Sequence, residues 1–216
     1  MNEDSGDPLL ARNWPASMVE QCLANRDTAG LVQFLRERHR QRFFKPINQL
    51  KSAKGNSQGF GFAVMALCSL LIETVQSYRD GLPTTHQGEL SNLRKLDNVP
   101  SAYQLPPDLK VKGDDEFKKF FVAFQSDFPG IDGEEFYKNI RNGLLHQGQT
   151  KGGWLLHKGG SVVRHAKKKI IYRDQFSERL EGCFKKYLGE LETHSWEHEI
   201  WANAARKIWW LVRLSR

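Results

Sequence analysis

The chain has 216 residues, 39% of them hydrophobic and 26% charged, which suits one domain with a single core and excludes a disordered chain. Its 32 basic against 25 acidic residues give a formal net charge of +7, a balance that favours a polyanion such as nucleic acid or an anionic membrane surface. Cys22, Cys68 and Cys183 are too few and too scattered for a disulfide framework or a zinc site, and their odd number points to a reducing compartment, with the cytoplasm as the expected location.

Met1 to Pro8 is acidic and polar, without the basic start and apolar stretch of a secretory signal. Pro15–Asn25 and Thr28–Phe44 read as helices, the first with a proline suited to a first turn, the second with Leu31, Phe34 and Leu35 at helical spacing. The second helix carries a basic run of Arg36, Arg38, His39, Arg40, Arg42 and Lys45. Residues 1–50 are expected to form an N-terminal helical extension packed on the core.

Residues 51–216 are expected to form the main helical domain. Ser52–Gly59 reads as a polar loop, followed by the most hydrophobic helix, Phe60–Arg79, ended by Gly81 and Pro83. Its apolar run stops at Glu73, short of the roughly 20 residues that span a membrane, so no spanning segment is expected. Residues 81–113, rich in proline, read as a long connection with a short helix near Leu90–Leu96. Helical spacing resumes over Asp114–Ser126 through Phe117, Phe120, Phe121 and Phe124.

Asp132 and Glu135 then have the N-cap and N3 spacing of a capping box, and Gly148 supplies the left-handed stop of the helix they open. Phe136, Ile140, Gly143 and Leu144 give it a core-facing stripe. After it, Trp154–His157 and Ser161–Tyr172 read as a β-hairpin, at about 152–172, turning at Lys158-Gly159-Gly160. The second strand carries Arg164, Lys167, Lys168 and Lys169, candidates for RNA contact. Helices over Asp174–Glu192 and Ser195–Leu214 complete a mainly α chain. His194 and His198, four apart, share a helix face, but no third metal ligand accompanies them.

The chemistry-bearing motif is Arg141-Asn142-Gly143-Leu144-Leu145-His146. At about 100° per residue Asn142 and His146 share a face, whereas Arg141 lies about 140° from His146, a gap for arginine's length or a second copy of the helix to close. RNA cleavage requires a 2′-hydroxyl to lose its proton as it attacks phosphorus while charge on the phosphoryl oxygens is held. Histidine titrates near neutrality and moves the proton, arginine's planar fork holds two phosphate oxygens, and Asn142 orients either partner. Neither metal nor cofactor is required.

This arrangement closely resembles the R-x(4–6)-H signature of the HEPN superfamily, with Arg141, Asn142 and His146 matching the arginine, the polar residue after it and the histidine. The resemblance covers about residues 60–148. It implies an antiparallel helical bundle in which the motif helix packs against a long apolar helix, here Phe60–Arg79. It also implies a metal-independent endoribonuclease acting on RNA as a homodimer with a composite active site, often a toxin or antiphage effector, with an antitoxin protein as a partner in some systems. A polar residue on the apolar helix often supports such sites, and Glu73 is the candidate. Gln147-Gly148 departs from the x-Tyr that follows the histidine in HEPN toxins paired with a nucleotidyltransferase. The alternative is a non-catalytic HEPN-like module binding RNA, a nucleotide or a protein.

Overall fold

The computed structural model describes residues 6–53, 60–165 and 167–216. Leu9–Ala11 (β1) and Trp14–Pro15 (β2) pair antiparallel, and the ribbon turns Leu10 and Ala11 into the core. Pro15 is the N-cap of α1 (Ala16–Ala24) rather than part of its first turn, because its ψ of 156° is extended. Asp27 then caps α2 (Thr28–His39), its Oδ1 accepting from the Gly30 amide at 2.9 Å.

The helix expected to end at Phe44 continues through a π turn, Arg40–Phe44, into α3 (Lys45–Ser52). Pro46 explains the irregularity. In a regular α-turn its ring would crowd the carbonyl of Arg42, and the wider turn just before it relieves that clash. The basic run is divided as a result. His39 is buried, Arg38 and Arg42 donate to the Leu10 carbonyl, and Arg36, Arg40 and Lys45 remain exposed.

The 21-residue α4 (Phe60–Asp80) lies at the centre of the helical bundle and packs against α3 and the later helices that begin at Asp115, Asn142, Arg173 and Glu199. Among the described residues it is the one helix long and apolar enough, by length and composition, to cross a membrane. Glu73 ends the unbroken apolar run but not the helix, which continues to Asp80, next to the expected stop at Gly81. Half of its apolar window is buried here, with Val64, Met65, Cys68, Leu71, Ile72 and Val75 fully enclosed. Residues 54–59, most of the expected polar loop, lie outside the described residues.

Residues 81–114 hold α5 (Gln87–Leu93) and one 3-10 turn, Ser101–Tyr103. In α6 (Asp115–Ala123) the expected stripe forms an aromatic cluster, with Phe117 and Phe121 against Phe136, which stacks on Phe176 at 5.4 Å. α7 (Gly133–Phe136) can approach α6 closely because residue 133 lacks a side chain: a Cβ there would stand 2.6 Å from the Lys118 Cα. A π turn, Tyr137–Arg141, leads into α8 (Asn142–Gln147), and α9 (Arg173–Thr193) and α10 (Glu199–Arg213) close the bundle. One hydrophobic cluster runs from Leu10 to Val212, so residues 10–47 share their core with the remainder.

The expected hairpin is corrected. Leu155–His157 (β3) and Ile170–Tyr172 (β4) are parallel, with Leu155 opposite Ile170 and His157 opposite Tyr172. The chain reverses twice between them: once between His157 and Arg164, which bridges antiparallel to Ile171, and again before β4. The second reversal follows His165, whose Nδ1 accepts from the amides of Lys167 and Lys168 at 3.1 and 3.2 Å. A side-chain cap that a pattern of strand residues does not display marks this second reversal, which the hairpin reading lacked.

Candidate active site

The motif helix begins as its spacing predicts, with Asp132 Oδ1 accepting from the Glu135 amide at 2.7 Å. The reciprocal half of the capping box is absent: Glu135 Oε1 accepts from Trp154 Nε1 at 3.2 Å and pairs with Lys169 at 3.3 Å. Gly148, at φ 65°, ends the helix, and its amide donates to the Leu144 carbonyl. The intervening π turn winds less per residue than an α-turn, so Phe136 and Ile140, four apart, keep the same buried face.

Arg141 is the last residue of that turn. Its Nε donates to Glu73 Oε1 on α4 at 2.8 Å, and its Nη1 donates to Asn142 Oδ1 at 3.1 Å. Both partners of the ion pair are largely enclosed, with 15% and 13% of the side chains exposed. The guanidinium also lies 5.5 Å from the ring centre of Tyr137, one turn earlier. Two of arginine's five N–H donors are therefore engaged, and the other three have no hydrogen-bond partner among the described residues.

His146 stands apart from this group. It is exposed, one helical turn beyond Asn142, and among the described residues it has no hydrogen bond to Arg141 or Asn142. Asn142 thus orients the arginine and leaves the histidine alone. Leu145, beside it, is 37% exposed.

The other expected contacts separate. Arg164 is tied down, donating to the Gly130 carbonyl at 2.7 Å and lying 5.1 Å from the Trp154 ring centre. Lys169 is paired with Glu135, while Lys167 and Lys168 are exposed. His194 and His198 lie with ring centres 4.0 Å apart, yet among the described residues no group of three or more His, Cys, Asp or Glu side chains is placed to hold a metal ion.

One neighbour of Arg141 and one group near Glu73 were not read from the sequence. Tyr137 lies four residues before Arg141, a helical spacing that does place the two side chains together, and its hydroxyl end is admitted because residue 113 is glycine. Glu116 on α6 is 1% exposed, with one carboxylate oxygen lacking a hydrogen-bond partner. Burial, and then the negative charges of Glu73, Asp115 and Asp80, push its carboxyl up to about 7. A charged residue inside a phenylalanine-rich helix carries no sequence signal of that kind.

Comparison with protein-family models, with curated proteins and with solved structures returns no match.

Proposed function

We propose that the protein is a metal-independent endoribonuclease of HEPN type, with Arg141 holding the scissile phosphate and His146 transferring the proton. The observation that carries this reading is the pairing, on one helix, of an arginine fixed by Glu73 and Asn142 with an exposed histidine one turn beyond Asn142. A fixed guanidinium loses little side-chain entropy when it takes up a phosphate, and its donors already point in set directions. An exposed imidazole is free to approach a 2′-hydroxyl.

In the proposed reaction the imidazole takes the 2′-hydroxyl proton, the 2′-oxygen bonds to phosphorus, and the 5′-oxygen of the next nucleotide leaves with a proton from a second acid. A 2′,3′-cyclic phosphate results. The second acid is the His146 of another copy, because one chain offers a single motif histidine, which has no hydrogen bond to its own arginine among the described residues. The working unit is accordingly a homodimer with two motifs facing one cleft, and exposed Leu145 beside His146 suits such a contact.

The test is incubation of the purified protein with labelled structured and unstructured RNAs in EDTA, alongside Arg141→Ala and His146→Ala. Cleavage by the parent and by neither variant supports the reading. Equal cleavage by all three identifies a contaminating nuclease, and RNA binding without cleavage identifies a non-catalytic module.

A further inference from the structure

The helix that runs from Thr28 through the π turn to Ser52 presents Arg36, Arg40, Phe44, Lys45, Asn48 and Gln49 along one face. Across a groove of about 560 Å³, α9 opposes them with Glu181, Phe184, Lys185 and Leu188. The spacing on both sides is that of a single helical stripe, and Arg36 to Gln49 covers about 20 Å at the ordinary helical rise. No residue of this groove belongs to the Arg141 site.

Its lining holds four cations, Arg36, Arg40, Lys45 and Lys185, against one carboxylate, Glu181. Arg36 pairs with Glu192, Arg40 with Glu37, and Lys185 with Glu181, at 2.7 to 2.8 Å, but the three cationic side chains are 55 to 71% exposed. Exposed pairs of this kind contribute little, so a phosphate can displace the carboxylate. Lys45 has no carboxylate partner among the described residues. Between the cations lies half-buried Phe44, 5.5 Å from buried Phe184, with the exposed amides of Asn48 and Gln49 beyond it.

We propose that this groove binds a single-stranded nucleic acid, with phosphates on Arg36, Arg40, Lys45 and Lys185 and a base stacked on Phe44. Cations alone would suit any polyanion. An aromatic ring set among them, with side-chain amides able to read base edges, favours a nucleic acid over an acidic peptide, and unpaired bases over a duplex. The π turn contributes to the arrangement. By shifting the helical register at residues 40–44 it brings Phe44 and Lys45 to the same groove as Arg36 and Arg40, while Arg38 and Arg42 turn to the Leu10 carbonyl. The proposal does not rest on RNA cleavage.

The test uses fluorescence anisotropy of a labelled oligouridylate in the His146→Ala chain, where the proposed turnover is removed. The triple variant Arg40→Gln, Lys45→Gln, Lys185→Gln is expected to bind more than tenfold more weakly and to lower the slope of log affinity against log salt by about 2. Phe44→Leu is expected to weaken binding about tenfold with the slope unchanged, and Arg141→Ala to leave the groove's binding in place. Circular dichroism verifies that each variant is folded. Absence of binding by the parent, or parental affinity in the triple variant, overturns the proposal. Loss of binding only on Arg141→Ala moves the strand to the other site. Equal competition by polyglutamate, with no effect of Phe44→Leu, makes an acidic protein segment the ligand instead.

Discussion

The Arg141 guanidinium is bound to Glu73 across the contact of α4 with the π turn before α8, Nε to Oε1 at 2.8 Å, and has no hydrogen bond to His146 among the described residues. Holding the arginine is therefore the work of α4, and removal of the carboxylate should release it. Glu73→Ala leaves a largely enclosed cation with one partner fewer. We expect a stability loss of about 2 kcal/mol, below the range for wholly buried pairs because both side chains retain some exposure. Glu73→Gln, which keeps an acceptor for Nε, should lose less. Urea denaturation of the two variants and of Arg141→Ala, combined in a double-mutant cycle, measures the coupling, and additive losses would show that the pair is not energetically linked.

His146 should behave in the opposite way. It is exposed and lies one turn beyond Asn142, so His146→Ala should change stability by less than about 0.5 kcal/mol. If it moves the proton, the same substitution should lower RNA cleavage by at least about a hundredfold. A thermal melt and a single-turnover cleavage assay on one preparation separate the two effects. A destabilised variant with unchanged turnover would make His146 a structural residue.

Much of the scaffold was legible because it follows from periodicity. Leu31, Phe34 and Leu35, the phenylalanines of α6 and one face of α4, from Val64 to Val75, are buried as their spacing requires. The ends of the motif helix were legible too, since an Asx cap and a left-handed glycine are local chemistry. Features set by tertiary contact were not. The strand directions around residues 155–172 depend on His165 capping the amides after it, the first π turn on Pro46, and the engagement of Glu73 on the approach of the second π turn to α4. For the site, Glu73 is legible as a polar residue on an apolar helix, whereas the contacts of Tyr137 and Glu116 form only in the folded chain, and the motif's two ends share no hydrogen bond among the described residues.

Two buried groups should give stability a maximum in mildly acidic solution. Burial, assisted by Arg38 and Arg42, lowers His39 to about 3 in the folded chain, against an ordinary value of 6.5. The unfolded chain takes up a proton that the folded one refuses, so His39 contributes stability above pH 6.5 that is lost as the pH falls toward 3. Glu116 has the reverse sign. Its folded value of about 7 exceeds the ordinary 4.5, so the contribution is complete below pH 4.5 and is lost as the pH rises through 7. At 1.36 kcal/mol per unit the Glu116 loss is about 3 kcal/mol. Glu116→Gln should raise the melting temperature by several degrees at pH 8 and leave it nearly unchanged at pH 4.5, read by calorimetry at the two pH values. An equal change at both would remove the ionisation from the explanation.

Gly143 offers the sharpest test of how the motif helix is seated. In an exposed helix interior, glycine to alanine is a gain of roughly 0.5–1 kcal/mol, because the unfolded chain loses freedom. Here the chain after Gly148 folds back on the helix: the Lys151 amide donates to the Asn139 carbonyl at 2.8 Å, and a Cβ at position 143 would stand 3.2 Å from the Thr150 Cα and overlap the Gln149 carbonyl oxygen. Both obstacles are backbone, which cannot rotate away as a side chain can. Gly143→Ala should therefore destabilise, by about 1–3 kcal/mol, and should displace the 149–151 segment rather than α8, whose own hydrogen bonds do not oppose a methyl group. Hydrogen exchange locates the effect, with faster exchange at the Lys151 amide than at Leu144 as the expected pattern. A stabilised variant with Lys151 still protected would show that the return of the chain is looser than this packing requires.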